Sequence, residues 1–182
     1  RSISWAVRNS SMMLFSATLR LTVGQKREKD DFSRRNRTTA DQFFGRFPSL
    51  YGYFYNELVE ASEWKTSPEA LSDMHPTLFP ILLVLARLDT SETRRGDARA
   101  LVHDLNVFVP LLRQCSTHTH HKARVMTARA LSTILTNPGM IETEISSMVG
   151  DLTLAASFKG CLDQNHNAMH GVLLNIYHTL CN

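Results

Sequence analysis

The side chains able to do chemistry are few and scattered along the 182 residues. His118, His120 and His121 crowd one short stretch, and His166 and His170 stand four residues apart, which sets two imidazoles on one face of a helix. Such pairs hold zinc when further ligands complete a tetrahedron. Neither group has a Cys, Asp or Glu completing a recognisable site, so no metal is expected at either: the first reads as a solvated loop or helix cap, the second as helix-packing or capping histidines. Cys115, Cys161 and Cys181 are far apart with no CxxC, as suits reduced structural thiols in a cytoplasmic protein. Cys115 ends an apolar helical stretch, where a free cysteine is usually buried and inert rather than a nucleophile.

No glycine-rich phosphate loop, nucleophile elbow or dinucleotide fingerprint occurs. No catalytic residue and no cofactor is therefore expected, and a methyltransferase domain is not in this chain. The strongest candidate for direct contact is charge. Between Lys26 and Arg37 six basic residues face three acids, a local excess equal to the net +3 of the whole chain. Arg27, Lys29, Arg34, Arg35 and Arg37 are candidates for meeting RNA phosphates, where each neutralised phosphate releases counterions and makes binding salt-dependent. A solvated linker with half its bases offset is the competing reading. The aromatic run Phe43, Phe44, Phe47, Tyr51, Tyr53, Phe54 and Tyr55 could stack on bases, but its helical spacing favours core packing.

The elements that would position these groups are helices. Composition is 43% hydrophobic and 20% charged, enough for one sizeable core, and the best apolar run, Leu78 to Leu88, is too short and too interrupted by Pro80 and Arg87 to span a membrane. Apolar residues recur at helical spacing and never alternate strictly, so the class is all-α. The pattern predicts a first helix from Ser4 to Val23, a basic mobile loop at 25–38, and a short helix capped by Thr39. A longer helix follows with Pro48 in its first turn, then a central one at Leu78 to Leu88. Another runs over His103 to Cys115, where Pro110 either starts a helix or kinks one. Three more cover His120 to Leu135, Met140 to Leu152 and Asn165 to Leu180.

Two helices share one pattern: Val7-Arg8-x-x-Ser11-Met12-x-x-Phe15-Ser16-x-x-Leu19 and Ala123-Arg124-x-x-Thr127-Ala128-x-x-Leu131-Ser132-x-x-Leu135. A ridge of small and apolar residues lets neighbouring helices stack, as in armadillo or HEAT pairs. The expectation is an α-solenoid segment, residues 1–182 forming one helical-repeat unit of a larger protein, with Arg8 and Arg124 bonding neighbouring helix ends or carboxylates. A closed helical bundle is the alternative.

Particular blocks are more specific than periodicity. Trp5-Ala6-Val7-Arg8-Asn9-Ser10, Phe43-Phe44-x-Arg46-Phe47-Pro48-x-Leu50-Tyr51, His75-Pro76-x-Leu78-Phe79, and Gln164-Asn165-His166 with His170-Gly171 occur in one order over nearly the whole chain. In this the sequence resembles the THADA family, the thyroid adenoma-associated proteins and their fungal relatives. The resemblance implies an armadillo-like protein several times longer than this chain. Its role would be that of non-catalytic partner to an S-adenosylmethionine-dependent methyltransferase that modifies a ribose 2′-hydroxyl in the tRNA anticodon loop. It marks Trp5, Arg8, Asn9, Phe47, Pro48, His75, Pro76, Asn165, His166, His170 and Gly171 as structural motif residues. It names the methyltransferase and tRNA as partners, tRNA contact resting on the full-length protein. A protein–protein adaptor with no RNA contact is the competing function.

Overall fold

The computed structural model describes residues 5–23, 29, 33, 36–63, 75, 77–90, 103–157 and 162–181. Arg27, Arg34, Arg35 and Pro76 lie outside them, as do the side chains of Trp5, Arg8, Asn9 and Asn165. The described residues form eight α-helices: α1 (Trp5–Thr22), α2 (Ala40–Arg46), α3 (Ser49–Glu63), α4 (Leu78–Leu85), α5 (Val109–Cys115), α6 (His121–Ile134), α7 (Pro138–Ser157) and α8 (Leu162–Cys181). The chain is an all-α helical-repeat segment, and each expected helix is present.

Local chemistry sets the boundaries. The Thr39 hydroxyl accepts from the Gln42 backbone N–H at 3.3 Å and caps α2. Pro48 directly precedes α3, and its carbonyl accepts from the Tyr51 backbone N–H. Pro110 occupies the first turn of α5 after a 3₁₀ turn over Leu105–Phe108, so it starts a helix rather than kinking one.

One departure from the helical expectation is a two-residue parallel pairing of β1 (Thr38–Thr39) with β2 (Leu88–Asp89), Thr38 opposite Leu88. Two residues are too few for an alternating pattern to register in a sequence. The pairing ties the end of the basic segment to the end of the central helix.

That helix is buried at Leu78, Ile81, Leu82, Val84 and Leu85, as its missing polar face requires. Leu58, Phe108, Leu112 and Leu131 join it in the same core, each contributing about 1.5–3 kcal/mol by leaving water. Phe43, Phe44 and Phe54 are buried and Phe47 and Tyr51 pack against them. Tyr53 and Tyr55 stay exposed. α6 packs chiefly on α8 and then on α4 and α5, while α7 packs on α8. Apolar side chains remain outside on the first and last helices: Met13, Leu14 and Leu21 on α1, and Leu173, Tyr177 and Leu180 on α8. Repeat units carry such faces because each leans on its neighbours.

Candidate functional site

The densest polar arrangement is built around a buried cation on α6. Arg124 is 7% exposed. Its Nη1 donates to the His118 carbonyl (2.6 Å), the Thr119 carbonyl (2.8 Å) and Asn167 Oδ1 (2.8 Å), and its Nε donates to His170 Nδ1 (3.1 Å). The two carbonyls belong to the turn between α5 and α6; Asn167 and His170 come from α8. One guanidinium therefore fastens three elements through neutral acceptors, using the planar fork that only arginine offers. Burial lowers the Arg124 pKa from its ordinary value, and the charge-assisted bonds offset the desolvation.

The turn is further fixed by His118, which is buried and whose Nδ1 accepts from the His120 backbone N–H at 3.0 Å. Its ring stacks on His120 at 5.3 Å. The helix-cap reading does not apply, since His120 is the N-cap residue of α6 and makes no side-chain cap bond; His118 is buried in the turn before it, while His120 and His121 are exposed. Directly beneath, Gly171 lets α8 approach: a Cβ there would meet the Ser116 carbonyl oxygen at 1.8 Å. His170 and Gly171 thus serve consecutive structural tasks, and His166 is exposed on the same helix. The expected helix-end role holds for Arg124, with two carbonyls, an amide oxygen and an imidazole in place of the carboxylates that were the other expectation.

His170 is held below its ordinary pKa first by burial, then by the positive charge of Arg124 and by His121, whose ring lies 5.4 Å away. Because Nδ1 accepts from Arg124, the neutral ring carries its proton on Nε2. With the folded pKa below the unfolded one, the unfolded chain binds the extra proton. Stability is then fully present above about pH 6.5 and is lost as pH falls through the folded value. Denaturant unfolding of the wild type between pH 7.5 and 5 should show this loss, and His170→Gln should reduce it, leaving the part carried by His178, whose pKa burial also lowers; equal slopes for both proteins would show that His170 does not cause it.

A second network joins α5 to α7. Arg113 donates to Glu144 Oε2 at 3.1 Å and Ser147 Oγ at 2.9 Å, and pairs with Asp151. Arg113, Asp151, Met148, Met169, Val172 and Asn175 line a cavity of about 450 Å³. A third network joins α3 to the residues before α4: Thr77 Oγ1 lies 2.6 Å from Glu57 Oε2 and 2.9 Å from His75 Nδ1. Apart from the Thr77–His75 contact, spacing could not have exposed these, because the partners are distant in sequence and only the fold joins them.

Of the basic candidates, Lys29 is exposed and Arg37 is partly buried just before β1. Arg46 has a structural place instead: its Nη1 donates to the Leu21 carbonyl at 3.5 Å, at the end of α1, and its guanidinium lies 5.2 Å from the Phe47 ring centre. Cys115 is buried and Cys181 exposed, both as free thiols. No described helix is long and apolar enough to cross a membrane.

Comparison with known proteins places this architecture in a family. A family model described as "Trm732, C-terminal TPR repeats" matches residues 8–179. The tRNA (32-2'-O)-methyltransferase regulator THADA of Mus musculus is 39% identical over 97% of this chain, and that of Canis lupus familiaris 37% over 97%. The tRNA (32-2'-O)-methyltransferase regulator trm732 of Schizosaccharomyces pombe is 28% identical over 94%. The chain spans only 9% of the two mammalian relatives and 11% of the yeast one. No solved structure matches significantly.

Proposed function

Because the chain belongs to the Trm732/THADA family, we propose that it is a non-catalytic segment of a scaffold or regulatory protein that supports tRNA methylation. The reaction is 2′-O-ribose methylation in the anticodon loop, carried out by a separate S-adenosylmethionine-dependent methyltransferase. The observation that carries this reading is the name shared by relatives that match nearly the whole chain, from mammals to fission yeast: regulators of a tRNA (32-2'-O)-methyltransferase. The geometry agrees in kind. Arg124, His170 and Arg113 are spent on fastening helices to one another, which is what a positioning device needs. Scaffolds accelerate by holding enzyme and substrate in register, converting an encounter into an oriented contact.

The direct test is reconstitution of the full-length protein with its methyltransferase, followed by measurement of anticodon-loop 2′-O-methylation. Activity requiring both proteins supports the reading. Methylation by the enzyme alone at the same rate sinks it, and methylation without the enzyme would make this protein the catalyst.

Within that assembly the basic segment is the proposed tRNA contact. Changing Arg27, Lys29, Arg34, Arg35 and Arg37 together to Ala should weaken tRNA binding by the complex. It should also flatten the salt dependence, by roughly one unit of log–log slope for each phosphate no longer neutralised. Unchanged affinity with an unchanged slope removes the segment from the interface. The adaptor reading, with no RNA contact, is favoured by the exposed Leu173, Tyr177 and Leu180 face on α8; it predicts normal tRNA binding by that variant.

A further inference from the structure

Glu57, Glu60 and His75 bring one ligand atom each to within 4.8 Å of one another. They come from two places in the chain. Glu57 and Glu60 are one helical turn apart on α3, and His75 enters from the residues preceding α4. We propose that these three side chains form a zinc site that pins the C-terminal half of α3 to the start of α4.

The imidazole is oriented for it. The Thr77 hydroxyl has one proton, and at 2.6 Å from the Glu57 carboxylate it donates there. Toward His75 Nδ1, 2.9 Å away, it can only accept, so Nδ1 carries a proton. In the neutral ring the lone pair is then on Nε2, the atom that faces Glu60 Oε1 at 3.7 Å. Zinc-binding histidines are oriented in this way, one nitrogen on the metal and the other donating into a hydrogen-bonded carboxylate relay.

One distance within the group suits the same ion. Ligands about 2.0–2.2 Å from zinc in a tetrahedron are separated by about 3.4 Å along an edge. The 3.7 Å between His75 Nε2 and Glu60 Oε1 is longer than a hydrogen bond and close to that edge. One imidazole nitrogen with two carboxylates is a donor set zinc accepts, leaving its fourth position for water. The Glu60 side chain is 57% exposed and His75 is buried, so the site has a wet side and an anchored side.

Charge favours a cation here as well. Glu57, Glu60 and Glu63 fall in the last turns of a helix that carries no basic residue of its own. Negative side chains at the negative end of the helix dipole are unfavourable, and carboxylates one turn apart repel. Glu60 and Glu63 have other partners as well, and a divalent cation between Glu57 and Glu60 lowers the repulsion between those two.

The test uses full-length protein with zinc as the probe: equilibrium dialysis against Zn²⁺, metal content by mass spectrometry, and visible absorption after Co²⁺ substitution. Wild type should hold one equivalent more zinc than Glu60→Gln, an exposed substitution that leaves the core intact, and zinc should raise the Tm of the wild type but not of the variant. Thr77→Val, which removes the relay while keeping the ligands, should bind zinc roughly 10–100-fold more weakly. Equal zinc content in wild type and Glu60→Gln, with no Co²⁺ spectrum that depends on Glu60, would overturn the site and leave a hydrogen-bonded relay only.

Discussion

Replacing Arg124 with Ala is expected to destabilise the segment by about 3–4 kcal/mol, roughly 10 °C in Tm for a unit of this size. The side chain satisfies two carbonyls in the turn between α5 and α6 and two acceptors on α8. Truncation leaves these groups short of donors beneath the helices, and the loss of a buried donor costs more than its bond was worth. Arg124→Lys should recover only part of the loss, because an ammonium cannot present the fork that serves acceptors on both sides. Equilibrium unfolding checks both variants; an Ala variant as stable as wild type would show that the cluster tolerates solvent in place of the guanidinium.

Gly171→Ala should cost about 2–3 kcal/mol, a magnitude usual for overpacking. The added methyl would meet backbone, the Ser116 carbonyl oxygen at 1.8 Å and its carbon at 2.7 Å, so the turn or α8 has to move. Moving either also lengthens the Arg124 bonds, which makes the two substitutions non-additive. Gly150 in α7 provides the control: it is exposed with nothing within 4 Å of its Cβ position. There Ala should stabilise by roughly 0.5–1 kcal/mol through helix propensity. Opposite signs for one chemical change at two helical glycines would be hard to obtain from propensity alone, and the same sign at both would contradict the close approach at Gly171.

Both substitutions fall where local pattern and tertiary packing meet, which is also where the sequence stops being legible. The Thr39 cap and the apolar face that begins at Leu78 are local, written within a few residues, and stand where spacing placed them; the central helix ends at Leu85 rather than Leu88, and Pro110, open between starting and kinking a helix, starts one. The repeat pattern likewise marks Arg124 as a residue that bonds helix ends. Its partners Asn167 and His170 are beyond inference from spacing, since they lie on a helix separated from α6 by the whole of α7. His118 orders its turn by accepting from the His120 backbone N–H, a bond between near neighbours, but its burial is not written in the local sequence. The grouping of Glu57 and Glu60 with His75 is hidden for the same reason: every member has an ordinary local context, and only the packing of α3 against α4 joins them. Of the basic segment, Lys29 and Arg37 have described positions and the other three candidates do not, so its link to RNA rests on charge.

An arginine that acts only by holding helices in place should, when removed, lower function only by weakening the fold. Methylation by the reconstituted complex can be compared with folded fraction, for wild type and for Arg124→Ala in the full-length protein, across a temperature series. One common curve is expected, with methylation by the variant falling only as its fold is lost and recovering fully on cooling. Methylation abolished at temperatures where the variant remains folded and bound to the enzyme would contradict a purely structural role for Arg124.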